Sequence, residues 1–404
     1  MPVSAVRAPS YEPAAVRASL RKAFDLLGLD PANPLGGIVR PGNRVFIKPN
    51  WVAHRYRASC PCQHDVFTTI THPEVIRAVA EAVDVALAGR GQILIGDNPS
   101  IDADFPELMK VQALDSLKTQ LKTPVDFLDL RPLVCKDLRD YGQRDKMHDQ
   151  PGDPAGQTVV NLGRASMLYG MNPRLFRGVF DQREETRRAH SGDTHLYGIA
   201  NSIFQSDVFL SVPKFKTHHK SGTTLNLKGL VGTMCTKNYL VHWRDGFPAI
   251  GGDAYPSFWA WFADHFRKVK NRGAWPGNDT IWRMVVDLYA AIRQGPPRRF
   301  SVIDGILAGE GSGPFCPEPK PAQVLIAGTE FLDTDLVATR LMGFDVSQIP
   351  YLNHYIARGE ITPQAIPFAS DFMDPATLFN PALPHFAFKP PKGWQHLLPA
   401  GAPP

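Results

Sequence analysis

Six short apolar runs constrain this chain more than any other feature. They fall at 45–47, 93–95, 125–128, 208–212, 302–303 and 324–327, and each is stopped by glycine, proline or a polar residue. Runs of this length, rich in β-branched residues, predict buried strands. Helical spacing recurs between them, at 12–29, where Gly28 offers a stop, and at 72–87, where Thr71 is a candidate cap and Pro73 opens the first turn. A further helix is expected over 333–342. Buried strands alternating with helices predict an α/β fold, with a mainly parallel or mixed sheet covered by helices on both faces.

The organisation emerges from where the pattern lapses. Residues 1–35 read as an N-terminal helical segment and 36–242 as the first part of the core. A polar excursion without periodicity spans 141–195. Residues 243–282 are loaded with Trp, Phe, Gly and Asp and read as an aromatic-rich cap or insertion. The core resumes over 283–380, and 381–404 is a proline-rich tail expected to be loosely held. Within the insertion, 256–266 is apolar around its whole circumference, the pattern of a helix that is buried or that covers something.

The residues just after the apolar runs are more informative than the runs themselves. Lys48-Pro49-Asn50 comes after the first and Asp97-Asn98-Pro99 after the second; 213–219 reads PKFKTHH. Asp304-Gly305 and Glu310 come after the fifth, and Asp333 and Asp335 after the sixth. Strands of an open parallel sheet present their carboxyl ends along one edge, where ligands bind. Lys48, Asp97, Lys214, His218 and Asp304 are therefore expected around one cavity. A single lysine after a strand is most often solvated, and Asp before Gly is commonly a turn residue. Lys214, Lys216, His218, His219, Lys220 and Lys228 nevertheless crowd one segment, and such density calls for an anion or carboxylates among them.

This pattern points to an enzyme acting on a small anionic molecule bearing a carboxylate or phosphate. Lys48, Asn50, Lys214, Lys216 and Lys228 would hold the anion, and His218 and His242 would transfer protons. Asp97, Asp304, Asp335 and Glu310 would orient them or hold a divalent metal ion for metal-assisted chemistry. The insertion is expected to approach 214–220 with His242 facing the same cavity. The alternative is a non-catalytic redox or metal-associated partner protein, built on Cys60-Pro61-Cys62 with His54 and His64 beside it. The cofactor stays open on either reading.

Other classes are disfavoured. A hydrophobic share of 43% with 21% charged residues is globular composition, and a net charge of +5 without a dense basic run argues against nucleic acid. No nucleotide-binding glycine motif and no G-x-S-x-G elbow is present. No run approaches membrane-spanning length, so no membrane partner is expected and the cytoplasm is the expected compartment. Five cysteines, an odd count, argue against a disulfide framework and leave Cys60 and Cys62 as free loop thiols. A homo-oligomer is left open.

The ordered runs FIKPNW, THPEVIRAV, ILIGDNP, SDVFLSVPKFKTHHKSGTTLNLKGLVG, KNYLVH and SVIDGILAGEGSGP resemble the diagnostic segments of the DUF362 family, over about 44–343. Some relatives carry a ferredoxin-like cysteine segment. This chain has none, which argues against an iron–sulfur cluster of its own. Where relatives tend to read Lys-Asn-Leu, this chain reads Lys228-Gly229-Leu230, so any contact made by that Asn side chain is lost.

Overall fold

The computed structural model describes residues 2–136, 144–178, 182–266 and 272–399. Parts of the expected excursion (141–143 and 179–181), of the insertion (267–271) and of the tail (400–404) lie outside the described residues.

The central sheet is mixed and mostly parallel. Its main strands are β1 (Val3–Arg7), β2 (Arg44–Pro49), β3 (Gln92–Asp97), β4 (Val125–Asp129), β5 (Val208–Val212), β6 (Lys214–His218), β7 (Arg298–Ser312), β8 (Cys316–Lys320), β9 (Val324–Gly328) and β10 (Phe368–Ser370). They run in the order β10-β1-β9-β7-β5-β2-β3-β4, with β6 and β8 pairing along β7. From β7 through β5, β2 and β3 to β4 every pairing is parallel, whereas β9 runs antiparallel to both β7 and β1. The 1–35 segment thus contributes a strand as well as a helix.

Alternation along the strands divides two apolar cores. Val45, Ile47, Val302 and Ile306 face one side, with α1 (Pro13–Leu26) and α2 (Pro73–Leu87). Phe46, Ile303 and Ile326 face the other, with α5 (Ile281–Ile292) and α6 (Phe331–Leu341). Two shorter helices matter for function: α3 (Leu225–Gly229) carries a buried lysine, and α4 (Phe258–His265) lies within the aromatic insertion. α2 begins with Pro73 in its first turn, but its cap is His72, whose Nδ1 accepts the Glu74 amide at 3.2 Å. Thr71 instead donates to the Val212 carbonyl, tying the helix start to β5.

Three expectations from the sequence are corrected. β7 runs on past Asp304-Gly305, a pair that reads as a turn; Asp304 sits mid-strand because a buried lysine neutralises it. Within the excursion, Gln157–Asn161 pairs antiparallel with Thr194–Ala200, and Tyr197 and Ile199 enter the core. The tail is anchored, with Phe388, Trp394 and Leu397 buried and the Trp394 indole donating to the His219 carbonyl at 2.9 Å.

Candidate functional site

The expected cluster resolves into two groups. The first is closed. Lys214 and Asp304 form an ion pair at 2.8 Å with neither side chain exposed. Tyr11 accepts from Lys214 and donates to Asp304, both at 2.9 Å, while the His72 amide donates to the second Asp304 oxygen. The Tyr11 ring stacks on His72 at 3.7 Å. Asp304 shares its face with Val302 and Ile306, beneath α1 and α2. With its charges paired and its oxygens occupied, this group is a buried cross-brace.

The second group lies where β2, β3 and β6 meet α3. Lys48, at the end of β2, bridges to Asp97, at the end of β3, at 2.8 Å. Asp97 also accepts the Trp51 and Asn98 amides. The backbone at Gly232 presses against this pair. A Cβ there would lie 2.0 Å from Asp97 Oδ1 and 2.7 Å from Lys48 Nζ, so only glycine fits without displacement. Lys216 is wholly buried and donates to the Thr69 and Pro314 carbonyls at 2.7 and 3.2 Å. Asn50 donates to the same Thr69 carbonyl at 2.8 Å, so it positions that loop.

Lys228 differs from these. It is buried in α3, yet among the described residues its ammonium makes no hydrogen bond or ion pair. Burial and then neighbouring Lys48 push it down to about 8. Two interactions hold α3 in place. Asp335 accepts the Asn226 and Leu227 amides at 2.9 and 2.8 Å, and the Asn226 side chain accepts from Ser301 of β7. Leu225, at the helix start, has φ +46°, a strained conformation for a branched residue held by those contacts.

Around Lys228 stand two neutral imidazoles. Burial first, and nearby lysines second, hold His218 and His242 well below the ordinary histidine value. Their tautomers differ. His218 Nδ1 accepts the Lys220 amide at 3.1 Å, which places its proton on Nε2. His242 Nδ1 lies 2.9 Å from the Leu240 carbonyl and can only donate there, which leaves Nε2 a lone pair. One ring therefore offers a proton and the other accepts one.

Two lysines that the sequence reading gave no role complete the basin. Lys220 lies 4.7 Å from the centre of the Trp243 ring and is pushed down to about 7 by burial and by Lys228. This contact brings the start of the aromatic insertion over the loop after β6. Lys237 donates to the Asn98 and Pro99 carbonyls and is likewise pushed to about 7, first by burial and then by Arg131. Its only sequence signal was its place in KNYLVH.

The four candidate metal-binding carboxylates are dispersed. Asp97 and Asp304 each pair with a lysine, Asp335 serves α3, and Glu310 accepts the Lys389 amide and lies 3.4 Å from Lys320. Among the described residues no three His, Cys, Asp or Glu side chains stand close enough to hold a metal ion. Asp335 comes after β9, whose antiparallel direction carries its C-terminal end to the opposite sheet edge.

The free-thiol expectation for Cys60 is also corrected. Cys60 and Cys316 form a disulfide across 256 residues, while Cys62 and Cys235 are free. The bridge joins the loop after β2 to the start of β8, beside the Tyr56 hydroxyl's bond to the Pro317 carbonyl. His54 Nδ1 accepts the Asp104 amide, so Cys60 and His54 are not poised as ligands of one ion.

The family model of a domain of unknown function, DUF362, matches residues 131–340, just over half of the chain. The chain belongs to the DUF362 family. The match takes in β5, β6, α3 and both imidazoles of this DUF362 protein, while Lys48, Asn50 and Asp97 lie before it. The chain is 25% identical over 352 residues to the thylakoid-associated protein sll1697 of Synechocystis, covering 86% of this chain and 76% of that one. Two solved structures align at a TM-score of 0.35, too low to inform the site. They are a Thermotoga maritima protein (10% identity, 78% of this chain, 55% of that one) and the lactate racemase apoprotein of Thermoanaerobacterium thermosaccharolyticum (13%, 85% and 57%). The chain thus spans little more than half the length of either. Among the described residues of this DUF362 protein no helix is long and apolar enough to cross a membrane.

Proposed function

We propose that this DUF362 protein is an enzyme that binds a small anionic molecule, carboxylate- or phosphate-bearing, at the Lys228 basin and moves a proton on it. The observation that carries this reading is Lys228, a largely buried side chain whose ammonium is unpaired among the described residues and ringed by Lys48, Lys220 and Lys216, with Asp97 as the local counter-charge. A lysine so largely withdrawn from water, with other lysines around it, is costly to charge unless an anion meets it.

Each residue then has a task. Lys228 takes the anionic group directly, and Lys48, held by Asp97, has one donor left to help. Lys216 spends two donors on carbonyls, so it supports the charge field more than it grips. His242 Nε2 accepts a proton from the bound molecule and His218 Nε2 donates one. An arriving negative charge raises the proton affinity of both rings and of Lys220, which turns weak bases into useful ones. The carboxylates are occupied by lysines and amides, so proton transfer is the chemistry carried forward.

The test is thermal-shift and calorimetric titration with phosphate, pyrophosphate and malonate, on the wild type and Lys228→Met. At least one anion should bind the wild type, and about ten- to a hundredfold more weakly to the variant. No binding by any of the three, or equal binding by both proteins, sinks the proposal.

A further inference from the structure

The Cys60–Cys316 disulfide ties together two segments that each hold residues of the basin. One is the loop leaving β2. Its Trp51 amide donates to Asp97 at 2.7 Å, and its Asn50 side chain donates to the Thr69 carbonyl that also accepts Lys216. The other is the turn from β7 into β8. There the Gly313 carbonyl accepts the His219 amide at 3.0 Å, and the Pro314 carbonyl accepts the Lys216 ammonium at 3.2 Å. Beside the bridge, the Tyr56 hydroxyl donates to the Pro317 carbonyl at 2.6 Å and the Arg57 guanidinium lies 3.5 Å over the Phe315 ring. The bridge is the covalent member of this contact. Neither cysteine belongs to either of the two apolar cores, so opening the bond need not melt them.

We propose that Cys60 and Cys316 form a redox site, opened by a dithiol reductant, whose reduction loosens the walls of the basin. The consequence for anions rests on the anion-binding reading above. Cys60 is buried and Cys316 partly exposed, so the attack is directed at Cys316. One thiolate of the reductant bonds to the Cys316 sulfur, and Cys60 leaves as a thiolate and takes a proton. The second thiolate of the reductant then displaces Cys316, which is also protonated. Two thiols remain on this chain and one disulfide on the reductant, so the electrons balance without a metal. With the bond broken, the loop that holds Asp97 and the carbonyls that hold Lys216 and His219 move independently. An anion then has to order both, and binds more weakly for it.

The experiment compares the full chain as oxidised protein, after reduction with dithiothreitol, and after reoxidation with oxidised glutathione. Hydrogen exchange at the Trp51 and His219 amides should quicken by about tenfold or more on reduction and slow again on reoxidation, while the β1–β9 ladder stays unchanged. Calorimetry with phosphate, pyrophosphate and malonate should show about tenfold weaker binding by the reduced protein for whichever anion binds. Cys316→Ser should match the reduced wild type with or without dithiothreitol; should it misfold, the two wild-type states decide. The proposal is overturned if the two amides exchange alike in both states, or if both states bind the anion equally. It is also overturned if the β1–β9 ladder loosens as much as the two amides, which would mark a general staple. Should the oxidised protein bind none of the three anions, the anion-binding reading is lost, and exchange at Trp51 and His219 still decides the redox site.

Discussion

Lys214 and Asp304 neutralise each other at 2.8 Å in the middle of the sheet, out of contact with solvent. Buried pairs of this kind are felt when one partner is removed, because the other charge is stranded. Lys214→Met should therefore lower the unfolding free energy by about 3–5 kcal/mol, read from urea denaturation. The sequence alone suggested instead a strand-end lysine that holds the anion. A loss below about 1 kcal/mol, the level of a surface pair, would remove the cross-brace.

Gly232→Ala tests the basin by geometry. The new methyl group would collide with Asp97 and Lys48, so the bridge must open and both side chains must turn. Anion binding should weaken by about tenfold or more while the protein still folds. Binding equal to wild type would mean that the Lys48–Asp97 arrangement is irrelevant to the site.

Binding should also depend on pH in a definite direction. In the anion-free fold Lys220 titrates near 7 and Lys228 near 8, both below the ordinary lysine value of 10.5 that the unfolded chain retains. The unfolded chain therefore holds more protons across roughly pH 7–10.5, and these two groups make the anion-free fold more stable as pH rises through that window. Bound anion reverses the balance by favouring the charged lysines. Phosphate should raise the melting midpoint more at pH 6.5 than at pH 9, with affinity falling about tenfold per pH unit above 8. Calorimetry in buffers of different ionisation enthalpy should show proton uptake on binding near pH 8. A flat profile would contradict the basin electrostatics.

Cys60 and Cys316 give a chemical prediction. Alkylation of unreduced, denatured protein should label Cys62 and Cys235 and spare the bridged pair. Breaking a native bridge that closes so long a loop should cost about 2–5 kcal/mol, measured on Cys60→Ser. Five labelled cysteines without reductant would show that the pair is not bridged.

How much of this was legible beforehand depends on strand direction and on pairing. Lys48 and Asp97 were found because their strands are parallel neighbours and end at one edge. His218 and Lys228 were found through the density of charge around them. Asp335 was misplaced because nothing in 324–327 reveals an antiparallel strand. Asp304 was expected at the shared cavity as an orienting or metal-binding carboxylate, because a buried aspartate looks available until its lysine, 90 residues away, is known. The partner of Cys60 lies 256 residues off, beyond any local signal. The opposed tautomers of His218 and His242 depend on single contacts to backbone groups, which composition does not encode. The all-round apolarity of 256–266 announced an unusual helix but not which side would meet solvent.

β1 has a consequence for how the protein is made. Val3–Arg7 is clasped between Val324–Gly328 and Phe368–Ser370. At 5–20 residues per second, roughly a quarter-minute to a minute separates the emergence of the first strand from that of its antiparallel partner. Throughout that interval the five-residue strand VSAVR waits beside a growing chain, open to pairing with the wrong strand. Synthesis delivers this strand long before either neighbour, so a nascent-chain chaperone that holds Val3–Arg7 should determine yield more than any substitution at the basin.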